Sequence, residues 1–141
     1  RWAEYGHDPA RVVVGAGSAG YYATPRSQDA LATYRPIYEY SRARQVEAGL
    51  PHPFADFDDF VARSSALIGS PAQVADKVHR YHERFGHTVL HVPVDANGLT
   101  PSQHRDSLAL FGTDIAPLLD RGIPDPPWPE PAATLTAGSL A

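Results

Sequence analysis

The chain has 141 residues, 43% hydrophobic and 20% charged, with a net charge of −4, enough for one domain with a core of its own in ordinary globular proportions. Acidic and basic residues are mixed along it and its apolar runs are short, so neither nucleic acid nor a membrane is an expected partner. It contains no cysteine, which excludes disulfides, thiolate nucleophiles and Cys-ligated zinc and fits an expected cytoplasmic setting.

The opening Arg1-Trp2-Ala3-Glu4-Tyr5-Gly6 reads as the end of a helix with a glycine cap, the tail of something longer. A polar turn over 7–11 leads into Val12-Val13-Val14, a β-branched run expected to begin a buried strand within 12–23. Gly15, Gly17 and Gly20 then spell G-x-G-x-x-G, the lettering of a dinucleotide fingerprint. That fingerprint works by starting a helix inside the motif, whose N-terminus holds a pyrophosphate. Here Tyr21-Tyr22-Ala23-Thr24-Pro25 favours extended chain and then a break, and Glu39, near the spacing of a ribose-binding acid, lies in a helical segment. The other reading is a strand end whose small residues allow close packing.

Ser27 is the expected cap of a helical stretch over 29–48, stopped by Gly49. Leu31, Tyr34 and Tyr38 share one face, and Pro36 predicts a kink or two helices. After a loop over 50–55, Asp56 caps a short helix carrying Phe57, Phe60 and Val61, and 66–68 is a strand candidate. Ser70 followed by Pro71 is a strong helix start. Val74, Val78, Tyr81 and Phe85 make an apolar stripe that Gly86 ends. In the strand expected at 88–94, Leu90, Val92 and Val94 face one way and Val89, His91 and Pro93 the other. After a turn at Asp95-Ala96-Asn97-Gly98, Thr100-Pro101 repeats the cap and proline, and Leu108, Phe111, Ile115 and Leu119 form a second stripe. From residue 66 the order strand, helix, strand, helix implies parallel strands joined by crossovers. The proline-rich stretch 122–141 reads as an extended or disordered tail.

The histidines do not fall at metal-site spacing; His79 and His82 read as solvated helix residues. His91 lies opposite the most apolar strand positions, either near a ligand or as a hydrogen-bonded core histidine. Asp95 follows at the strand's C-terminal end, where ligand-binding groups of parallel α/β folds collect, or serves as a turn carboxylate. Gly69-Ser70-Pro71 is no nucleophile elbow, and Ser70 is better explained as a cap.

The run Leu67-Ile68-Gly69-Ser70-Pro71-Ala72-Gln73-Val74-Ala75-Asp76-Lys77 resembles a segment near the C-terminus of luciferase-like (bacterial luciferase family) flavin-dependent monooxygenases. The likeness continues through residues 79–86, the strand Leu90-His91-Val92-Pro93-Val94-Asp95 and the helix around Ser107-Leu108-Ala109-Leu110-Phe111-Gly112. Gly6-His7-Asp8-Pro9-Ala10 and the valines resemble that family's sixth-strand region, so the resemblance spans 1–121. It implies an α/β fold: part of a (β/α)8 TIM barrel, about three C-terminal βα units, with 25–65 as an inserted helical segment. It further implies reduced FMN as cofactor, or a deazaflavin in some relatives, with oxygen and a small molecule as substrates and a flavin reductase as a partner. Gly17, Ser18, Gly69, Ser70, His91 and Asp95 would stand on the rim of the flavin pocket.

No catalytic residue carries over, because the family's main flavin contacts lie on earlier strands. Three strands at 12–23, 66–68 and 88–94 fall short of eight, and such barrels take about 250 residues. The chain alone is therefore expected to be inactive and to need a missing N-terminal half-barrel or a second copy. The alternative is a non-catalytic α/β module whose open edges recruit itself or another chain.

Overall fold

The computed structural model describes residues 3–93 and 98–126. Among them are four short strands: β1 (Gly15–Gly17), β2 (Tyr21–Ala23), β3 (Leu67–Gly69) and β4 (Val89–His91). The main helices are α1 (Ser27–Glu47), α2 (Phe57–Arg63), α3 (Pro71–Phe85) and α4 (Pro101–Leu110). A π-helical turn, Phe111–Ile115, joins α4 to the short α5 (Ala116–Leu119). The element expected at 12–23 is two strands rather than one, separated by Ser18, Ala19 and Gly20, and the valines before Gly15 lie outside either. Val13 and Val14 are 38% and 37% exposed, so the expected buried strand start is corrected. No helix begins at Gly17; the first long helix starts at Ser27, which removes the dinucleotide reading.

Both ladders are parallel, as the alternation of elements predicts. β2 pairs with β3, Tyr21 opposite Leu67 and Ala23 opposite Gly69. β1 pairs with β4, Gly15 opposite Val89 and Gly17 opposite His91. The expected neighbours 66–68 and 88–94 do not pair; each instead lies against a different half of 12–23.

The period-two pattern of the β2–β3 ladder divides the core in two. Tyr21, Ala23 and Leu67 face Val74 and Val78 of α3 and Ile115 of the π turn. Tyr22, Ala66 and Ile68 face Ala30 and Tyr38 of α1 and Phe57 of α2. The ladder is thus covered by helices on both faces, an α/β arrangement in layers.

Local rules set most helix ends. Asp56 caps α2, accepting from the Asp59 amide at 2.8 Å. α3 and α4 both carry complete capping boxes, Ser70 with Gln73 and Thr100 with Gln103, each with proline in the first turn. Gly86 ends α3 at φ 65°, a left-handed cap that favours glycine. Two helix expectations change. α1 starts without a side-chain cap, the residue before it being Arg26, and it runs unbroken through Pro36. Ala32, whose carbonyl the missing proline N–H leaves unbonded, is exposed to water, while Ala30 and Tyr38 on either side hold the helix to the core. In the second stripe Leu108 is an exposed apolar residue, and Leu110, Phe111 and Leu119 pack around buried Ile115. The π turn, with more residues per turn than an α-helix, rotates the stripe after Leu108.

Candidate functional site

Parallel α/β folds place ligands at the C-terminal ends of strands. At the ends of β2 and β3, the Thr24 amide donates to the Gly69 carbonyl at 3.2 Å, extending the ladder by one bond. Ser107 of α4 closes the same edge: its hydroxyl accepts from the Ala23 amide at 2.9 Å and its carbonyl from the Tyr21 hydroxyl at 2.7 Å. Gly69 has φ 153°, and a Cβ there would lie 2.7 Å from Gln73 Oε1. Ser70 spends its side chain on the cap: the hydroxyl accepts from the Gln73 amide, and its own amide donates to Gln73 Oε1 at 3.2 Å.

Gly17, Ser18 and His91 lie elsewhere. The Ser18 amide donates to the His91 carbonyl at 3.0 Å, and the Ser18 hydroxyl donates to the Gly20 carbonyl. The Ala19 amide donates to the Ser65 hydroxyl at 3.0 Å and the Leu67 amide to the Gly20 carbonyl at 2.8 Å. These bonds set the group at the N-terminal edge of the β2–β3 ladder, whereas Gly69 and Ser70 sit at its C-terminal edge, about 10 Å along at strand rise. The five described rim candidates therefore form two groups, Gly17, Ser18 and His91 at the C-terminal end of the β1–β4 ladder and Gly69 and Ser70 at that of the β2–β3 ladder. His91 is exposed, so it is not a core histidine. Asp95 lies outside the described residues.

An open groove of about 700 Å³ runs from Ser27, Ile68 and Gln73, between α1, α2 and α3, to Lys77 and Arg80. Lys77 was not singled out by the sequence reading. It is 8% exposed, and its ammonium donates to the Val61 carbonyl at 2.6 Å and the Ala66 carbonyl at 2.7 Å. Burial, and then the Arg80 charge, pull its pKa down to about 8. The signal was positional: Lys77 is three residues after Val74 and four before Tyr81, inside the α3 stripe. Its ammonium ties the end of α2 to the approach to β3. Among the described residues no three metal-ligating side chains come together, and no helix is long and apolar enough to cross a membrane.

The family model of luciferase-like monooxygenases matches residues 1–88. The chain belongs to this family. No curated protein matches it in sequence. Two solved structures resemble this luciferase-like chain in fold. Monooxygenase RslO1 from Streptomyces bottropensis aligns at TM-score 0.60 and 20% identity, over 82% of this chain and 33% of that one. The second is the oxygenating constituent of 3,6-diketocamphane monooxygenase from Pseudomonas putida, a type II Baeyer-Villiger monooxygenase in complex with FMN. It aligns at TM-score 0.64 and 22% identity, over 88% of this chain and 37% of that one. The luciferase-like chain thus spans about a third of each.

A flavin mononucleotide needs a slot for its ring and donors for its phosphate. The Ser18 and Ser70 hydroxyls already bond backbone groups, and the rim candidates are split between two edges.

Proposed function

We propose that this chain is the C-terminal part of a flavin-dependent, luciferase-like monooxygenase. Its parallel strands would take places in a (β/α)8 barrel, their C-terminal ends joining the rim of the flavin and substrate pocket. The observation that carries the reading is the pair of parallel ladders in which, among the described residues, β3 and β4 are each bonded on one side only; those free edges are what closure of a barrel would use. A missing N-terminal half-barrel or a second copy would supply the remaining wall. In this reading FMN, or a deazaflavin, carries the chemistry with oxygen and a small-molecule substrate, and a flavin reductase supplies reduced cofactor.

The test is titration of FMN, oxidised and reduced, with the chain alone and with the upstream barrel segment added. The chain alone should show no stoichiometric binding, and the combination should bind. Tight binding by the chain alone would overturn the divided-site reading; no binding by the combination would overturn the flavin reading. A second reading is favoured by exposed Val13 and Val14 beside β1: a non-catalytic α/β module that self-associates, tested by its state of association.

A further inference from the structure

His87 joins the Gly86 cap of α3 to the start of β4 and is 2% exposed. The chain on either side of its ring is pinned by hydrogen bonds. The Thr88 and Val89 amides donate to the Val14 carbonyl at 2.9 and 3.2 Å, and His82 Nδ1 donates to the His87 carbonyl at 2.5 Å. A carbonyl only accepts, so His82 carries its proton on Nδ1. The His82 ring meets the His87 ring edge-on, with centroids 5.8 Å apart and planes at 74°. Around the His87 side chain, α3 contributes His82, β4 Leu90 and the π turn Phe111, while the α5 end and the segment after it bring Asp120 and Asp125.

A histidine this deep is kept neutral. Loss of water, and then the His82 charge, lower its pKa below the ordinary 6.5, against a hydrogen bond to the Tyr81 backbone that raises it. The two aspartates would also favour a charged ring, yet burial prevails. Opening the junction returns the ring to water and to its ordinary pKa of 6.5. Below that value the opened junction binds a proton that the closed one resists, so acid favours opening. The opening need not spread. β2 and β3 are buried at every position, whereas no position of β1 or β4 is buried, and local unfolding takes the least buried units first.

We propose that His87, set against His82, is an acid-sensitive latch: closed at neutral pH, it lets the β1–β4 ladder part in mild acid while the β2–β3 ladder stays formed. Gly17, Ser18 and His91 travel with the first ladder, so in the proposed monooxygenase the latch would loosen one part of the pocket rim; the latch itself does not depend on that reading.

Amide hydrogen exchange of the purified chain, expressed as protection factors to remove the intrinsic effect of pH, tests the latch. From pH 7.5 to 5.5, protection at Thr88 and Val89 should fall about tenfold, the change given by a ring that takes its proton only when opened. The Leu67 and Thr24 amides, which donate to Gly20 and Gly69 across the other ladder, should change less than about twofold. His87→Phe keeps an aromatic ring that cannot take the proton, and should abolish the fall while retaining protection at pH 7.5. The wild-type ring is followed by NMR in the same range, so that the test stands even where His87→Phe fails to fold, and its midpoint should lie below 6.5. Unchanged protection at Thr88 and Val89, an equal fall in both ladders, the same fall in His87→Phe, or a His87 ring titrating at 6.5 or above would each overturn the proposal.

Discussion

Lys77 and Gly20 show how single positions hold this fold. Lys77 is a charge placed inside an apolar helix stripe, with two backbone carbonyls as its compensation. Lys77→Met keeps the stem and removes the donor, so urea unfolding should show a loss of about 1–3 kcal/mol at pH 7. The same residue gives a pH signature. Below about 8 both folded and unfolded chains hold its proton; between about 8 and the ordinary 10.5 only the unfolded chain does. The unfolded state then binds more protons, so this group's contribution to stability rises with pH across that window. The stability difference between wild type and Lys77→Met should therefore grow from pH 8 to 10, and a flat difference would refute the assigned burial. Gly20 matters for space. A Cβ there would lie 2.5 Å from the Tyr34 hydroxyl, and Tyr34 is stacked on Tyr22 of β2 with centroids 6.5 Å apart. Gly20→Ala should cost about 1–3 kcal/mol by thermal unfolding, with Tyr34→Phe recovering part of that loss by removing the obstructing oxygen. The glycine spacing looked like a cofactor motif in the sequence. Its strand-end alternative, small residues permitting close approach, describes Gly20, where the close group is the chain's own tyrosine.

At the scale of elements, legibility followed how local the determining interactions are. The start and stop of α3 are written in Ser70, Pro71, Gln73 and Gly86, whose bonds span a few residues, and α4 repeats the device. The π turn was not legible. Leu108, Phe111, Ile115 and Leu119 fit a helical stripe on paper, and only packing against β2 decides that Ser107, not Leu108, turns inward. Pro36 misled for a related reason: its penalty is local, while the contacts that keep α1 whole come from residues distant in sequence. Ser107 joins the two scales. Its hydroxyl accepts from the buried Ala23 amide at the end of β2. Ser107→Ala leaves that buried donor unpaired and should lower stability by about 1–3 kcal/mol. Amide exchange at Ala23 should accelerate by more than the global loss predicts, separating a frayed strand end from general destabilisation.

At the scale of the whole molecule, parallel direction was legible from the alternation of strands and helices, but pairing was not. Strands of three residues carry too little pattern to choose a neighbour: Val89, Leu90 and His91 could lie against β3 as readily as against β1, where they are found. The rim reading of Gly17, Ser18, Gly69, Ser70, His91 and Asp95 rested on the same side-by-side placement of strands 66–68 and 88–94. The unpaired edges have a physical consequence. β3 and β4 each bond one neighbour among the described residues, and beside β1 the branched side chains of Val13 and Val14 stand 38% and 37% exposed. Backbone groups on a free edge, flanked by apolar side chains, bind another edge more readily than water-facing polar strands do. The chain should therefore associate at tens of micromolar, seen as a concentration-dependent mass by size exclusion with light scattering. Val13→Lys with Val14→Lys places two charges where a partner edge would approach. The pair should raise the dissociation constant at least about tenfold, about 1.4 kcal/mol, with little change in the unfolding midpoint, because neither side chain is buried in the core. A wild-type chain that stays monomeric across that range would mean the exposed valines and free edges recruit nothing in solution, and both the half-barrel and the self-association readings would lose their common physical ground.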